Sequence, residues 1–414
     1  MADQNSNRVN QQHRLDPELL KKGLRCDLDQ YEMLKCCSDK KDMTEWNEWR
    51  KENPDKDVFL EGADLQGAHL EGANLERAHL ESGDLFYARL KGGYLSYAHL
   101  EGANLWSTHL EGTNFWGAHL QHANLRDAYL ESSLLEEANL EGACLECAHL
   151  QGANLTNAHL EDTELWAAHF EKAELLYTHL EDAKLGMAHL EGARLYGAHM
   201  QSAYLYSAHL EDAVLERAIV DGSTSLWECK VNRRTDFRSV GLDYVRIDQG
   251  TKQLLEYNIR RMNWEEWYKE HRFLKWLVKP FWWMSDYGRS TGRIIFTFFG
   301  LAVIFAFVYW LWPSCIVVNG QVGNIRGWWY ALYFSIVTPF GVGDIAANPD
   351  SPLGQTLLMI QVILGYVLLG ALVTRFAVLF TAGGPAGKFA DEQSISDRLR
   401  QLWARMRGKN TKRP

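Results

Sequence analysis

Leucine returns every fifth residue from Leu60 to Leu215, and that period excludes most ways of folding a chain. A helix repeats its buried face about every 3.6 residues and a strand about every 2, so a strict five fits neither. Thirty-two positions belong to the series, and only Phe115, Phe170 and Met200 depart from leucine. Two residues before each centre stands Ala or another small residue, such as Gly83, Thr113 or Ser133. Five residues cannot bury a leucine alone, so the units must stack and share one interior. Small residues at the second inward position imply that this interior is narrow.

The pattern, A(D/N)LXX, resembles the pentapeptide-repeat family. The resemblance implies a right-handed quadrilateral β-helix with four pentapeptides per coil. Thirty-two repeats then make eight coils, a rod of roughly 38 Å at a strand spacing of about 4.8 Å. The pattern weakens after Ala218 and resumes at Phe237, Leu242 and Ile247, so Ile219–Arg234 reads as an insertion or loop before a closing coil. The repeat domain is placed at 58–250. Residues 1–57 are polar and charged and form an N-terminal helical cap. Within them Asp42–Glu52 reads as a short helix with Asp42 as N-cap and Glu45 placed for a capping box.

The rod is acidic. Residues 58–219 carry 25 Asp and Glu against 8 Lys and Arg, whereas the whole chain has a net charge of −10. Such a surface keeps a solenoid soluble. DNA mimicry, as in gyrase-binding members of the family, suits a membrane-tethered rod poorly, and no nucleic-acid partner is expected.

A ten-residue superperiod, AHLEGANLxx, runs through the repeats. Histidine precedes the central residue at His69, His79, His99, His109, His119, His149, His159, His169, His179, His189, His199 and His209, interrupted by Arg89, Tyr129 and Asn139. Ten residues is half a coil, so the histidines form two columns on opposite faces. Glutamate follows two residues later at Glu71, Glu111 and Glu191, among others. Three readings stay open: a surface residue copied by duplication, a pH-sensing column, since imidazole titrates near physiological pH, and a zinc ladder.

Ile294–Trp312 is a 19-residue run without charge, ended by Pro313. It is long enough to cross a hydrocarbon core of about 30 Å. A second apolar run, Leu353–Phe380, has Arg375 as its one charge, near the end, where it can snorkel. Between them Gly327–Val337 is apolar and aromatic but too short to span. Lys269, Arg272, Lys275, Lys279, Arg289 and Arg293 precede the first run. Lys388, Arg398, Arg400, Arg405, Arg407, Lys409, Lys412 and Arg413 follow the second, and the loop holds only Arg326. This asymmetry predicts both termini in the cytoplasm of a plasma (inner) membrane, multi-pass protein. No secretory signal peptide is read at the N-terminus. Six of seven cysteines fall in the cytoplasmic part and Cys315 outside, so no disulfide framework is implied. Cys144 and Cys147 have CxxC spacing without a second pair, a chance placement rather than a metal or redox site.

The segment YFSIVTPFGVGD, Tyr333–Asp344, lies between the two runs. Alternating Gly341 and Gly343 allow backbone conformations in which carbonyls line a narrow pore. The arrangement resembles the two-transmembrane-helix tetrameric potassium-channel family, whose filter is usually written TTVGYGD. The match covers about Ile294–Phe380. It implies an all-α membrane pore domain of outer helix, pore helix, selectivity filter and inner helix. Thr338, Gly341, Gly343 and Asp344 match the filter motif, and Gly365 falls about where the family's gating hinge lies. Permeant K⁺ would meet the carbonyls of Thr338, Phe340, Gly341, Val342 and Gly343, and Asp344 would help fix the outer mouth. Pro339 replaces a threonine whose hydroxyl serves the innermost ion site, Phe340 stands for valine and Val342 for tyrosine. These departures put strict K⁺ selectivity in doubt and leave Na⁺ permeation open.

Lys252–Lys279 reads helical, with Trp264, Trp267, Tyr268, His271 and Leu274 at spacings of three and four. Trp276, Phe281, Trp282 and Trp283 follow, as suits a membrane interface. The linker at 251–292 is either a passive anchor or a lever from rod to pore. It precedes a pore domain at 293–380 and a basic cytoplasmic tail at 381–414. No GxGxxG unit, P-loop or catalytic constellation is present, so no enzyme and no cofactor beyond the permeant cation are expected. The expected function is a homotetrameric cation channel in the lipid bilayer, with repeat domains as scaffold or gating element open to a cytoplasmic protein or ligand. The alternative is a non-conducting, membrane-anchored pentapeptide-repeat scaffold that binds a protein partner.

Overall fold

The computed structural model describes residues 16–272, 275, 279, 291–318, 321–322, 327–338, 345–347 and 351–381. These fall into two compact units divided between Ile259 and Arg260.

In the first unit the five-residue period becomes a four-sided coil. The residue before each centre pairs in parallel with the residue twenty further on: His79 with His99, Asp84 with Asn104, Arg89 with His109, Tyr94 with Asn114. Each side holds one short bridge, and each corner is a β-turn. At the corner after Leu75, the Ala78 N–H donates to the Leu75 carbonyl at 3.0 Å, and Arg77 has φ 56°. A positive φ at this position defines a type II turn and favours glycine. Many corners nevertheless carry side chains there, including Tyr87, Ala167 and Met187. The centres from Leu60 to Leu215 are all buried, as are the small residues two places before them except the half-buried Ala68. Where Thr108, Thr113 or Thr178 takes the small position, its hydroxyl donates to a carbonyl of the preceding coil at 2.8–2.9 Å.

Three helices lie against the start of the solenoid: α1 (Pro17–Lys21), α2 (Leu28–Lys40) and α3 (Thr44–Glu52). Asp16 and Asp27 cap α1 and α2. The sequence reading found only α3, and it misplaced the cap. Met43 occupies the N-cap position without a side-chain bond. Asp42 sits one residue earlier, where it accepts from the Thr44 N–H and hydroxyl at 2.9 and 2.6 Å. Glu45 pairs with Lys40 at 3.1 Å instead of closing a capping box. The open edge of the first coil is satisfied by side chains. Gln30 donates to the Asp57 carbonyl and accepts from the Phe59 N–H, both at 2.9 Å. Trp46 donates to the Asn74 carbonyl, and Arg50 to those of Lys56 and Glu76. Such an edge would otherwise template pairing with another chain.

Ile219–Arg234 is not an insertion or loop. The ladders continue through it, His199 with Ile219, Tyr204 with Ser225, His209 with Lys230 and Val214 with Asp236. Spacing grows from 20 to 21 and then 22, so a ninth coil absorbs one extra residue at each of two corners. Asp221 and Thr224 close the first: the Asp221 N–H donates to Thr224 Oγ1 at 3.0 Å, and Asp221 Oδ1 accepts from the Ser223 and Thr224 N–H groups. Asn232 and Thr235 repeat the arrangement. Both threonines point inward and donate to carbonyls of the coil below, Met200 and Leu210. Phe237 and Leu242 are buried as expected, whereas Ile247 is half-buried.

Helix α4 (Gln249–Glu270) begins three residues before the expected start. Its N-terminal half buries Leu254, Leu255 and Asn258, and the Asn258 amide donates to the Asn232 and Thr235 carbonyls at 2.7 and 3.0 Å.

The second unit contains α5 (Thr291–Leu311), a 3₁₀ turn at Pro313–Cys315, α6 (Trp328–Val337) and α7 (Pro352–Thr381). Two stretches, Ile294–Leu311 and Pro352–Gly370, are long and apolar enough to cross a membrane by length and composition. The unit is not all-α. Strands β1 (Ile316–Val318), β2 (Gln321–Val322) and β3 (Ile345–Ala347) form a small antiparallel sheet in the order β2-β1-β3.

Candidate functional site

Helix α6 is the short element between the two long ones. Gly327, with φ 92°, starts it. It packs on α5 through Tyr309 and Phe334, whose rings meet edge to face at 5.1 Å. One buried amide then joins three helices. Tyr309 of α5 donates to Gln361 Oε1 of α7 at 2.7 Å, and Gln361 Nε2 donates to the carbonyl and hydroxyl of Ser335 in α6 at 2.8 and 3.1 Å. Tyr309, Ser335 and Gln361 are all buried. A buried amide is stabilising only when its partners are met, and here they are. The sequence reading passed over this network, although Gln361 in the middle of an apolar run was the available signal.

Thr338 ends α6, buried, and its hydroxyl donates to the Phe334 carbonyl at 2.7 Å. Of the expected filter, Pro339, Phe340, Gly341, Val342, Gly343 and Asp344 lie outside the described residues. Gly365 sits within the unbroken α7 and, with Phe298, Ser335, Gln361 and Leu368, lines a small cavity. In α4, Trp264, Trp267 and Tyr268 form an aromatic stripe that His271, just past the helix end, continues by stacking on Trp267 at 4.4 Å. Leu274, Trp276 and residues 281–283 lie outside the described set.

In the first unit the twelve repeat histidines form two ladders. One runs through His79, His99, His119, Asn139, His159, His179 and His199, the other through His69, Arg89, His109, Tyr129, His149, His169, His189 and His209. Neighbouring rings stack: His79–His99 and His99–His119 at 4.7 Å, His149–His169 at 5.0 Å, His169–His189 at 4.6 Å, all within 5° of parallel. Tyr129 replaces an imidazole without breaking its stack. Where glutamate stands two residues on, the imidazole turns Nδ1 toward it, at 2.9 Å in His79–Glu81 and His159–Glu161 and 3.1–3.3 Å in His169–Glu171, His179–Glu181 and His189–Glu191; His119, His149 and His199 have Gln121, Gln151 and Gln201 at that place instead. The second carboxylate oxygen of Glu81, Glu101, Glu111, Glu161, Glu171, Glu181 and Glu191 is buried without a hydrogen-bond partner. Neutral imidazole beside these carboxylates is a possible metal ligand, and the triads His79–Glu81–His99, His159–Glu161–His179 and His179–Glu181–His199 bring one ligand atom from each residue within 4.8 Å of the others. Cys144 and Cys147 are free thiols, half-buried and exposed.

Residues within 59–222 match the family model described as Pentapeptide repeats, in eight copies. Among solved structures, HetL, a pentapeptide repeat protein involved in heterocyst differentiation regulation from Nostoc sp. strain PCC 7120, is 32% identical over 39% of this chain and 77% of its own, with a TM-score of 0.20. QnrB1, a plasmid-mediated fluoroquinolone resistance protein, is 19% identical over 45% and 93%, with a TM-score of 0.26. A pentapeptide repeat protein from the Arabidopsis thaliana thylakoid lumen is 26% identical over 25% and 66%, with a TM-score of 0.14. No curated protein matches the chain. Residues 59–222 are a pentapeptide-repeat domain.

Proposed function

We propose that the protein is a homotetrameric monovalent-cation channel in which a two-helix pore domain is joined to a pentapeptide-repeat scaffold. The observation that carries this reading is the seating of α6. A short apolar helix is held by the Tyr309–Gln361–Ser335 network against two helices of membrane-crossing length, and it ends directly before the filter-like Thr338–Asp344. In a pore built this way four copies each supply one wall, and K⁺ or Na⁺ sheds water against backbone carbonyls. The exposed apolar faces of α5 and α7, including Phe296, Ile304, Met359 and Ile363, suit lipid or neighbouring copies. Both termini are cytoplasmic, and Gly365 is the hinge of the inner helix. The histidine ladders make cytoplasmic pH the first gating stimulus to examine.

Pro339 favours the other reading, a membrane-anchored scaffold whose pore no longer conducts and whose repeat domain binds a protein partner. Reconstitution separates the two. Purified full-length protein in liposomes, with K⁺ on one side and Na⁺ on the other, is expected to run as a tetramer and pass cations. Pro339→Thr is expected to move the reversal potential toward that of K⁺. A monomer without flux across a range of cytoplasmic-side pH leaves the scaffold reading.

A further inference from the structure

Within the ladders, two pairs of histidines differ from the others. His179–His199 and His189–His209 are tilted by 32° and 34°, whereas His159–His179 and His169–His189 lie within 8° of parallel. The lone pair of an imidazole nitrogen lies in the ring plane, so parallel rings stacked 4.7 Å apart aim their nitrogens along separate lines. Tilting makes the lines converge. Distances to the shared carboxylate follow the same rule. Glu161 Oε1 is 2.9 Å from His159 Nδ1 but 3.8 Å from His179 Nδ1. Glu181 Oε1 is 3.3 Å from His179 Nδ1 and 3.4 Å from His199 Nδ1, nearly equidistant. Ligand atoms about 2.0–2.1 Å from a tetrahedral zinc ion lie roughly 3.3 Å from one another.

The other tilted pair is closed by a neighbour. Glu191 Oε1 lies 3.3 and 3.1 Å from the Nδ1 atoms of His189 and His209. The Lys230 ammonium stands 2.8 Å from His209 Nε2. An ammonium offers only donors, so His209 Nε2 accepts and the ring proton sits on Nδ1, which leaves that nitrogen no lone pair for a metal. Among the described residues no such cation holds His199.

We propose that His179, Glu181 and His199 form a binding site for a single divalent transition-metal ion, Zn²⁺ by its preference for imidazole and carboxylate. His179 and His199 supply Nδ1 and Glu181 supplies Oε1. These three protein ligands leave the fourth tetrahedral position to a solvent molecule. His179 and His199 belong to successive coils, so the ion clips two turns of the solenoid together. It does not depend on conduction.

Co²⁺ is the probe, because its visible d–d absorption reports tetrahedral nitrogen and oxygen ligation. Metal-free full-length protein in detergent is titrated with Co²⁺ and then with Zn²⁺. The expected result is one equivalent per chain with intense visible bands that Zn²⁺ abolishes, and a thermal midpoint that rises with free Zn²⁺. His199→Gln and Glu181→Gln, both on the rod surface and checked for folding by circular dichroism, are each expected to weaken binding about tenfold or more, since even outer-shell losses cost that much. His99→Gln and His209→Gln are expected to leave it unchanged. The proposal is overturned by a wild type without the bands, by bands that survive both site variants, or by their equal loss in His99→Gln.

Discussion

Replacing Gln361 with Leu tests the hinge-pin of the helical unit directly. The change keeps the volume of the site and removes three hydrogen bonds, one from the Tyr309 hydroxyl and two to Ser335. In a soluble interior each is worth about 0.5–1.5 kcal/mol net, which gives roughly 2–4 kcal/mol. In a bilayer the unfolded reference also finds partners, and the average falls to about 0.6 kcal/mol per bond, or roughly 2 kcal/mol in all. The lower value is expected here, because Tyr309 and Gln361 sit on the two helices long and apolar enough to cross a membrane. Tyr309→Phe removes one of the three bonds and should cost about 0.6 kcal/mol. The assay is reversible unfolding in mixed micelles, followed by near-ultraviolet circular dichroism of the aromatic cluster around Phe305, Tyr309 and Phe334. In the double variant the second substitution should add almost nothing, since the Tyr309 bond is already lost with Gln361. A loss below about 0.5 kcal/mol for Gln361→Leu would show that the amide does not hold α6 in place.

Two further outcomes concern the repeat unit. Asp221 is held below the usual carboxylate range, chiefly by the Ser202 N–H, then by Thr224 and Ser223. A carboxylate depressed in the folded state stabilises fully above its unfolded value and loses that contribution as pH falls through the folded one. Asp221→Asn should therefore narrow the gap to wild type only below about pH 4, measured as thermal midpoint against pH. Thiol reactivity should divide by burial. Cys26 and Cys229 are pushed up to about 12, foremost by burial, whereas Cys36 and Cys147 are exposed. A maleimide at neutral pH followed by peptide mapping should find Cys36 and Cys147 modified and Cys26 and Cys229 intact; labelling of Cys229 in the folded protein would contradict its enclosure.

The repeat was legible because its code is redundant: each centre from Leu60 to Leu215 states the same geometry again. Redundancy also explains where the reading stopped. Counting in fives fails at Ile219, yet the chain keeps coiling, because Asp221–Thr224 and Asn232–Thr235 each absorb one residue in a closed corner. The pairs D-x-x-T and N-x-x-T, followed two residues later by Leu226 and Phe237, were the available sign. The helices α1 and α2 have no period to announce them, and their caps Asp16 and Asp27 are single residues. In the helical unit, lengths and order were legible from hydropathy. Gln361 was visible but unread, since its partners lie 52 and 26 residues away in sequence. Ring tilt between His179 and His199 has no trace in a sequence whose histidines look alike.

The twenty-residue coil also sets the phase of everything attached to it. Each coil meets the next through the same set of parallel bridges, so excising twenty residues from the middle of the solenoid would leave both ends facing as before. Excising ten would turn one end by half a revolution and splice one histidine ladder onto the other. Excising five would turn it by a quarter and set histidine against the Asp and Asn positions of an adjacent side. Length and bearing are thus independently adjustable in this architecture, the first in whole coils and the second in quarters.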